Sequence, residues 1–192
     1  KLERLKPSLR KSSTSRYIID VSEVETVPTK CLTVDNDNHM FLCGRQYIPT
    51  HNTTVAVAII LHFMLFNEHK LVGILANKGD SALEIMNRIQ LAYEYLPKWM
   101  QNGVIEWNKG SVELENGCRV IASATSGSAI RGKSVALLYI DETAFIDNWD
   151  EFYTSVYPTI SSGKKTKMLF TSTANGLNHF YKFWVEAKAG RN

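Results

Sequence analysis

An apolar run, Val135-Ala136-Leu137-Leu138-Tyr139-Ile140, ends in two adjacent carboxylates, Asp141-Glu142. A strand that delivers acids at its carboxyl end puts them where open α/β sheets bind ligands. In a nucleotide-hydrolysing site the first acid can hold Mg²⁺ through water, and the second can polarise the attacking water. The same pair could merely end a strand and begin a turn. A second strand-like run, Lys167 to Thr171, leads into Thr171-Ser172-Thr173-Ala174-Asn175-Gly176 at the same expected sheet edge. These hydroxyls and this amide could sense a γ-phosphate, and Thr173 or Asn175 could equally cap a helix.

Gly127-Ser128-Ala129-Ile130-Arg131-Gly132-Lys133-Ser134 matches the phosphate-loop pattern G-x-x-x-x-G-K-[ST] letter for letter. Such a loop must follow a strand and open a helix, so that helix N-terminal amides cradle phosphate. Here the pattern runs straight into the strand that ends at Asp141, with no room for a helix. It is rejected as the cradle, although Arg131 remains a charge that could stabilise a transferring phosphate. The triplet His51-Asn52-Thr53 is of another kind, since it looks like a cut site between two unlike texts.

The elements around these groups differ on the two sides of that triplet. Residues 17–52 carry short β-prone runs, Tyr17 to Val21, Cys31 to Val34 and His39 to Cys43, separated by turn formers and without a helix. From Thr54 to Phe66 the chain reads as a nearly all-apolar helix, which should be buried on most sides. Leu71 to Ala76 reads as a buried strand. Ser81 to Leu96 reads as an amphipathic helix capped by Asp80 or Ser81 and stopped before Pro97. Strands follow at Val104 to Trp107, Ser111 to Leu114 and Cys118 to Ala122, the last two joined by the hairpin signal Glu115-Asn116-Gly117. After Val135 to Ile140 and Lys167 to Thr171 comes a final helix from about Leu177 to Ala189. Alternating helices and continuous apolar strands predict an α/β sheet covered on both faces.

Composition bounds the rest. The 192 residues are 44% hydrophobic, enough for one ordinary domain or two small ones. No stretch is long and apolar enough to span a bilayer, and Lys1-Leu2-Glu3-Arg4 is not a signal-peptide pattern. The lack of an initiator Met suggests a fragment or a processed piece. A net charge of +3 is too mild to imply nucleic-acid binding by itself. Much of the basic excess lies in the Ser-rich residues 1–16, which read as a solvated linker. The three cysteines, Cys31, Cys43 and Cys118, form no zinc spacing and favour a reducing, cytoplasmic setting. The histidines are scattered without ligand spacing.

Taken together, Val72 to Gly79, Gly103 to Ser111, Ile130 to Gly132, Ile140 to Ile146 and Ser172 to Tyr181 are similar, in order, to the ATPase domain of phage large terminases. Those motors package DNA into capsids. The resemblance implies a P-loop NTPase-like α/β sheet over residues 53–192. It puts the Walker B acids on Asp141 and Glu142, and the coupling motif on Thr171 to Gly176, including Ser172, Thr173 and Asn175. Arg131 falls where some members carry an arginine finger. ATP and Mg²⁺ are the implied ligands, with Thr53 and Asp141 as the metal-side residues. Double-stranded DNA, the portal and other terminase subunits are the implied partners, in the cytoplasm of a bacterial host. The family's Walker A loop, ending Gly-Lys-Thr-Thr, should stand immediately before the helix that starts at Thr54. Only Thr53-Thr54 is present, so the chain as written should bind nucleotide poorly or not at all.

The block that occupies the missing loop resembles the carboxy-terminal part of an intein. It comprises Lys30 to Val34, His39 with Phe41, and Ile48-Pro49-Thr50-His51-Asn52 followed by Thr53. The resemblance implies an incomplete all-β Hint-type segment over residues 1–52. It assigns Asn52 to cyclise and break its bond to Thr53, His51 to assist by proton donation, His39 to relay a proton, and Thr53 to act as the acyl-accepting nucleophile. Cys31 occupies a position where many inteins carry Asp, and Cys43 has no motif role. Read alone, His51-Asn52 would be a helix cap; its place inside a motif that should be continuous favours splicing. The intein's own first residue and upstream motif are absent, so the expected partner is a complementary fragment carrying the intein and terminase amino ends. A truncated, non-splicing ATPase fragment and a small ATPase or kinase using Gly127 to Ser134 are the alternatives.

Overall fold

The computed structural model describes residues 41–43, 48–50, 52–125, 130, 132–161 and 166–190. In chain order the elements are β1 (Phe41–Cys43), β2 (Ile48–Thr50), α1 (Asn52–Phe66), β3 (Leu71–Ala76), α2 (Gly79–Glu94), β4 (Val104–Trp107), β5 (Ser111–Leu114), β6 (Arg119–Ala124), β7 (Leu137–Ile140), α3 (Trp149–Ser161), β8 (Lys167–Phe170) and α4 (His179–Lys188). Short 3₁₀ turns lie at Lys98–Met100 and Thr143–Phe145. The expected runs at Tyr17 to Val21 and Cys31 to Val34 lie outside the described residues. So do the linker 1–16, His39, His51, Arg131 and half of the Gly127 to Ser134 loop.

Six strands form one sheet in the order β4-β5-β6-β3-β7-β8. The strands β6, β3, β7 and β8 run parallel, and β4-β5-β6 form an antiparallel edge. The two-residue period of a strand assigns the faces. Val72, Ile74 and Ala76 of β3, with Leu137 and Tyr139 of β7, join α1 and α2 in one core. Leu75, Leu138 and Ile140 point the other way and pack with Phe152 and Val156 of α3. The sheet is thus covered on both faces, as its uninterrupted apolar strands require. Separately, β1 and β2 pair as an antiparallel hairpin, Leu42 opposite Pro49. Of the all-β segment expected before Thr53, this hairpin is what the described residues contain.

The hairpin between β5 and β6 turns on Gly117. Its φ of +74° suits glycine, and a Cβ there would stand 2.3 Å from Nδ1 of His69. Asn116 ties the turn to the end of α1 by donating to the carbonyls of Met64 (2.7 Å) and Asn67 (2.9 Å).

Several elements depart from expectation. The helix α1 starts at Asn52 and is not buried on most sides. Thr53, Ala56, Val57, Ile60, Leu61 and Met64 face the core, whereas Val55, Ile59 and Phe66 are 52%, 44% and 62% exposed. A helix laid on one sheet presents one stripe to it, however apolar the remainder. The helix α2 begins at Gly79, ahead of the expected Asp80 or Ser81 cap. Lys78 holds the cap position without a side-chain bond, and Asp80 instead lies in the first turn, where a carboxylate suits the helix dipole. The helix α3 has no counterpart in the sequence reading. The last helix is capped by Asn178, whose Oδ1 accepts from the amides of Phe180 and Tyr181.

Candidate functional site

At the carboxyl edge of the parallel strands, Asp141 follows β7 and Thr171 follows β8. Because Ile140 pairs with Phe170, the next residues stand side by side. Backbone bonds fix that edge. The Asp141 amide donates to Leu75 O (2.8 Å), Thr171 N to Ile140 O (3.0 Å) and Thr143 N to Thr171 O (3.1 Å). Thr171 Oγ1 then donates to Asp141 Oδ1 at 2.6 Å, a length typical of a charge-assisted bond.

Tyr139 shares the face of Asp141 two residues earlier on the strand. Its hydroxyl lies 2.7 Å from Thr171 Oγ1 and 3.1 Å from Asp141 Oδ1, and the Thr53 side chain is near enough to influence its ionisation. Thr53 is 6% exposed, in the first turn of α1. One buried cluster therefore joins the start of α1 to the ends of β7 and β8. Burial pushes the Tyr139 phenol far above its usual range, and the Asp141 charge adds to the effect, so it remains a donor.

Glu142 adopts a left-handed backbone, φ 50° and ψ 41°, a conformation that disfavours a side chain by about 1–2 kcal/mol. Thr173 Oγ1 approaches Glu142 Oε2 at 3.4 Å. Beyond Glu142 the turn Thr143–Phe145 is bound to the loop after β8. Ala144 N donates to Ser172 Oγ (2.9 Å), which itself donates to Thr173 O (2.9 Å). Asn175 and Asn178 donate to Ala144 O at 3.3 and 2.9 Å. His179 Nε2 meets Thr143 O at 2.6 Å, and its ring stacks on Trp149 with centroids 4.3 Å apart. The acid turn, the hydroxyl loop and the start of α4 are one bonded unit.

Thr53, Asp141, Glu142, Thr171, Ser172, Thr173 and Asn175 are therefore brought to one edge, with Ser172 buried as a latch and Thr173 exposed. Asn52 is the first residue of α1. His39, His51 and Arg131 lie outside the described residues. Sequence reasoning missed Tyr139, read only as strand core, together with Asn178 and His179. The alternation of β7 could have placed Tyr139 beside Asp141 on one face, but not beside Thr53.

Lys133 and Ser134, which end the phosphate-loop pattern, lie at the other edge. Ser134 to Ala136 lead directly into β7, and Ala136 N donates to Leu71 O at the amino end of β3. Lys133 and Ser134 line a cavity of about 810 Å³ with Lys70, Leu71 and Lys167, all at the amino ends of strands. The length of β7, roughly 13 Å at 3.3 Å per residue, separates Lys133 from Asp141. Lys133 thus stands at the opposite end of β7 from the Asp141-Glu142 pair.

Hydroxyl and carboxylate oxygens from Thr53 and Asp141 are the hard donors Mg²⁺ takes, alongside water and phosphate. No group of three or more His, Cys, Asp or Glu able to hold a metal occurs among the described residues. No helix among the described residues is long and apolar enough to cross a membrane.

Residues 52–192 match the protein family described as terminase large subunit, T4-like-virus type, N-terminal. The fold is similar to the large terminase of bacteriophage HK97, with a TM-score of 0.63 and 18% identity over 73% of this chain and 31% of that one. It is also similar to the large terminase of a thermophilic bacteriophage in complex with ATP-γ-S, with a TM-score of 0.53 and 10% identity over 71% of this chain and 33% of that one. Across 77 residues, 40% of this chain, the sequence is 35% identical to the replicative DNA helicase DnaB of Mycobacterium intracellulare. The chain spans 13% of the length of that curated relative.

Proposed function

The chain belongs to the terminase large-subunit family, T4-like-virus type, N-terminal, over residues 52–192, and from that premise we propose that its carboxyl sheet edge is the ATP-hydrolysing site of a DNA-packaging motor. The observation that carries the reading is the bonded set Tyr139–Thr171–Asp141, with Glu142 next in sequence and Thr53 buried near the Tyr139 hydroxyl. Thr53 and Asp141 would hold Mg²⁺, which when bound would supply charge neutralisation on the phosphates. Glu142 orients and deprotonates the attacking water. Thr171 and Thr173, bonded to the two acids, carry a change at either one into the loop that leads to α4. Arg131 offers its charge to the phosphates of a neighbouring subunit's site. DNA, portal and sister subunits are the partners of the complete motor, whose Walker A glycines and lysine come from the complementary fragment.

The residues before Thr53 act as an intein segment that removes itself. What favours this reading is a coincidence of boundaries: the family match and α1 both begin at residue 52, at the seam marked by His51-Asn52-Thr53. The Thr53 hydroxyl attacks an upstream acyl group held as an ester or thioester on the complementary fragment; the acyl–oxygen or acyl–sulfur bond there breaks, and the departing hydroxyl or thiol takes the Thr53 proton. The Asn52 side-chain nitrogen then bonds to its own main-chain carbonyl carbon, closing a succinimide. The bond to Thr53 breaks, and the freed Thr53 amine takes up the proton and receives the acyl group. His51 and His39 handle the protons. Domains 1–52 and 53–192 are thus an excised element and a retained ATPase.

Mixing the chain with its complementary fragment should give a ligated product starting its new junction at Thr53, seen by intact mass; Asn52→Ala must abolish it. In the ligated product, Glu142→Gln should abolish ATP hydrolysis and keep nucleotide binding. Unchanged turnover in that variant would refute the site, and ligation by Asn52→Ala would refute the splicing chemistry.

A further inference from the structure

The parallel strands begin on a row of cations. Arg119 opens β6, Lys70 immediately precedes β3, Lys133 lies shortly before β7 and Lys167 opens β8. All of them line the cavity of about 810 Å³ at the amino edge of the sheet, and the carboxylate among its described lining residues is Glu113. That acid lies 4.0 Å from the Arg119 guanidinium, which Glu106 also meets at 3.1 Å. Among the described residues no ion pair involves Lys70, Lys133 or Lys167, and all three are exposed. Like charges gathered on one concave wall focus their field onto an anion.

Strand pairing sets the spread of the row. Arg119 stands opposite Leu71, Val72 opposite Leu137, and Leu137 opposite Lys167. Three strand spacings of about 4.8 Å therefore put the backbone at Arg119 about 14 Å from that at Lys167. Such a row is too long to converge on a single small anion. One strand of a nucleic-acid duplex carries a phosphate about every 3.4 Å along the axis, so about four would face it. Residue type narrows the partner further. An acidic peptide is best gripped by the planar fork of arginine, and the arginine here already has two carboxylates. What remains is lysine, a point charge that suits phosphate.

We propose that the amino-edge cavity binds the phosphate backbone of a nucleic acid through Lys70, Lys133 and Lys167, without reading its bases. Lys133-Ser134 end a pattern that fails as a nucleotide cradle, and here they meet phosphate in another setting. The site uses none of the groups at the carboxyl edge. Its failure would leave the nucleotide-site proposal intact, and the reverse also holds.

The test takes the chain as it is and a fluorescein-labelled DNA duplex, with binding followed by anisotropy at several NaCl concentrations. Lys133→Gln with Lys167→Gln should weaken binding and flatten the slope of log K against log[NaCl] by about 2. The change should be the same on duplexes of unrelated sequence. Lys98→Gln with Lys188→Gln removes the same charge from exposed positions outside the cavity and should leave the slope at its wild-type value. The basic residues 1–16 are common to every variant and cancel in the comparison. Equal flattening by the two pairs, an unchanged slope in the cavity pair, or no duplex binding by the wild type would overturn the proposal. Poly-glutamate displacing the duplex as well as unlabelled DNA does, at equal charge, would make this an acidic-peptide site and overturn it too.

Discussion

Glu142 offers a test of the site's geometry that requires no nucleotide. Its φ of 50° is left-handed, where a Cβ costs about 1–2 kcal/mol. Comparing Glu142→Ala with Glu142→Gly removes the side chain in both variants, so every contact of the carboxylate cancels. What remains is the backbone. Alanine keeps the left-handed penalty, whereas glycine sheds it and loses about 0.5–1 kcal/mol through greater freedom in the unfolded chain. The difference should favour glycine by about 0.5–1 kcal/mol, opposite in sign to the usual preference in helices and strands. On a domain of this size that is about 1–4 °C in Tm. Urea unfolding followed by circular dichroism measures it, with the slope checked for constancy so that a change in midpoint reports stability. Glu142→Asn should fall between the two, since asparagine tolerates this region better than alanine. A glycine variant less stable than the alanine variant would refute the claim that Glu142 stands in a strained turn. Both variants should lack ATP hydrolysis after ligation, so the more stable one would be as inactive as the other.

Other perturbations read other parts of the fold. Gly117→Ala should cost about 1–2 kcal/mol in urea unfolding from its positive φ alone, and His69→Ala in the same background should recover only the part due to collision with the ring. Tyr139 holds its proton in the folded protein above 10.0, the usual phenol value, mainly through burial. Its contribution is therefore fully present below pH 10.0 and is lost as pH climbs beyond that value, because the unfolded chain ionises first. Urea midpoints between about pH 8 and 11 should fall less steeply for Tyr139→Phe than for the wild type, and parallel curves would refute this. Asn178 both caps α4 and donates to Ala144 O. Asn178→Ala should cost about 1 kcal/mol or more. Asn178→Asp should recover the cap while leaving Ala144 O without that donor, and equal losses in the two would show that the cap contributes nothing.

The legible elements were those whose own residues decide them. Leu71–Ala76, Val104–Trp107 and Ser111–Leu114 stand where apolar or β-prone runs bounded by turn formers put them. The Gly117 hairpin was equally local. The helix α3 escaped because Pro158 lies inside it and its run of aromatic and β-branched residues suits a strand as well. Its signals were weak ones: Asp150 and Glu151 in the first turn, and Phe152 spaced four from Val156 on the face that meets the sheet. At the site, the acids and hydroxyls could be read as sharing an edge, because each follows an apolar strand. The bond between Thr171 and Asp141 could not, since it depends on β8 lying next to β7. The role of the Tyr139 hydroxyl was hidden for the same reason. A tyrosine in a buried strand reads as core until the start of α1 is known to lie over it.

Thr53 is where the two proposed chemistries constrain each other. For splicing, its hydroxyl must reach an acyl group and its amide bond to Asn52 must open. In the folded ATPase half that residue is buried close to Tyr139, and the scissile bond lies in the first turn of α1. A nucleophile held there cannot also meet an upstream thioester or ester. Splicing must therefore occur either before the first turn of α1 settles onto the sheet or while that turn is frayed. Helix ends open locally at far less free energy than the whole domain, so the second route remains accessible to a folded chain. In the proposed order, Asn52 leaves and the amino-terminal segment is joined before the first turn of α1 settles back onto the sheet with Thr53 buried.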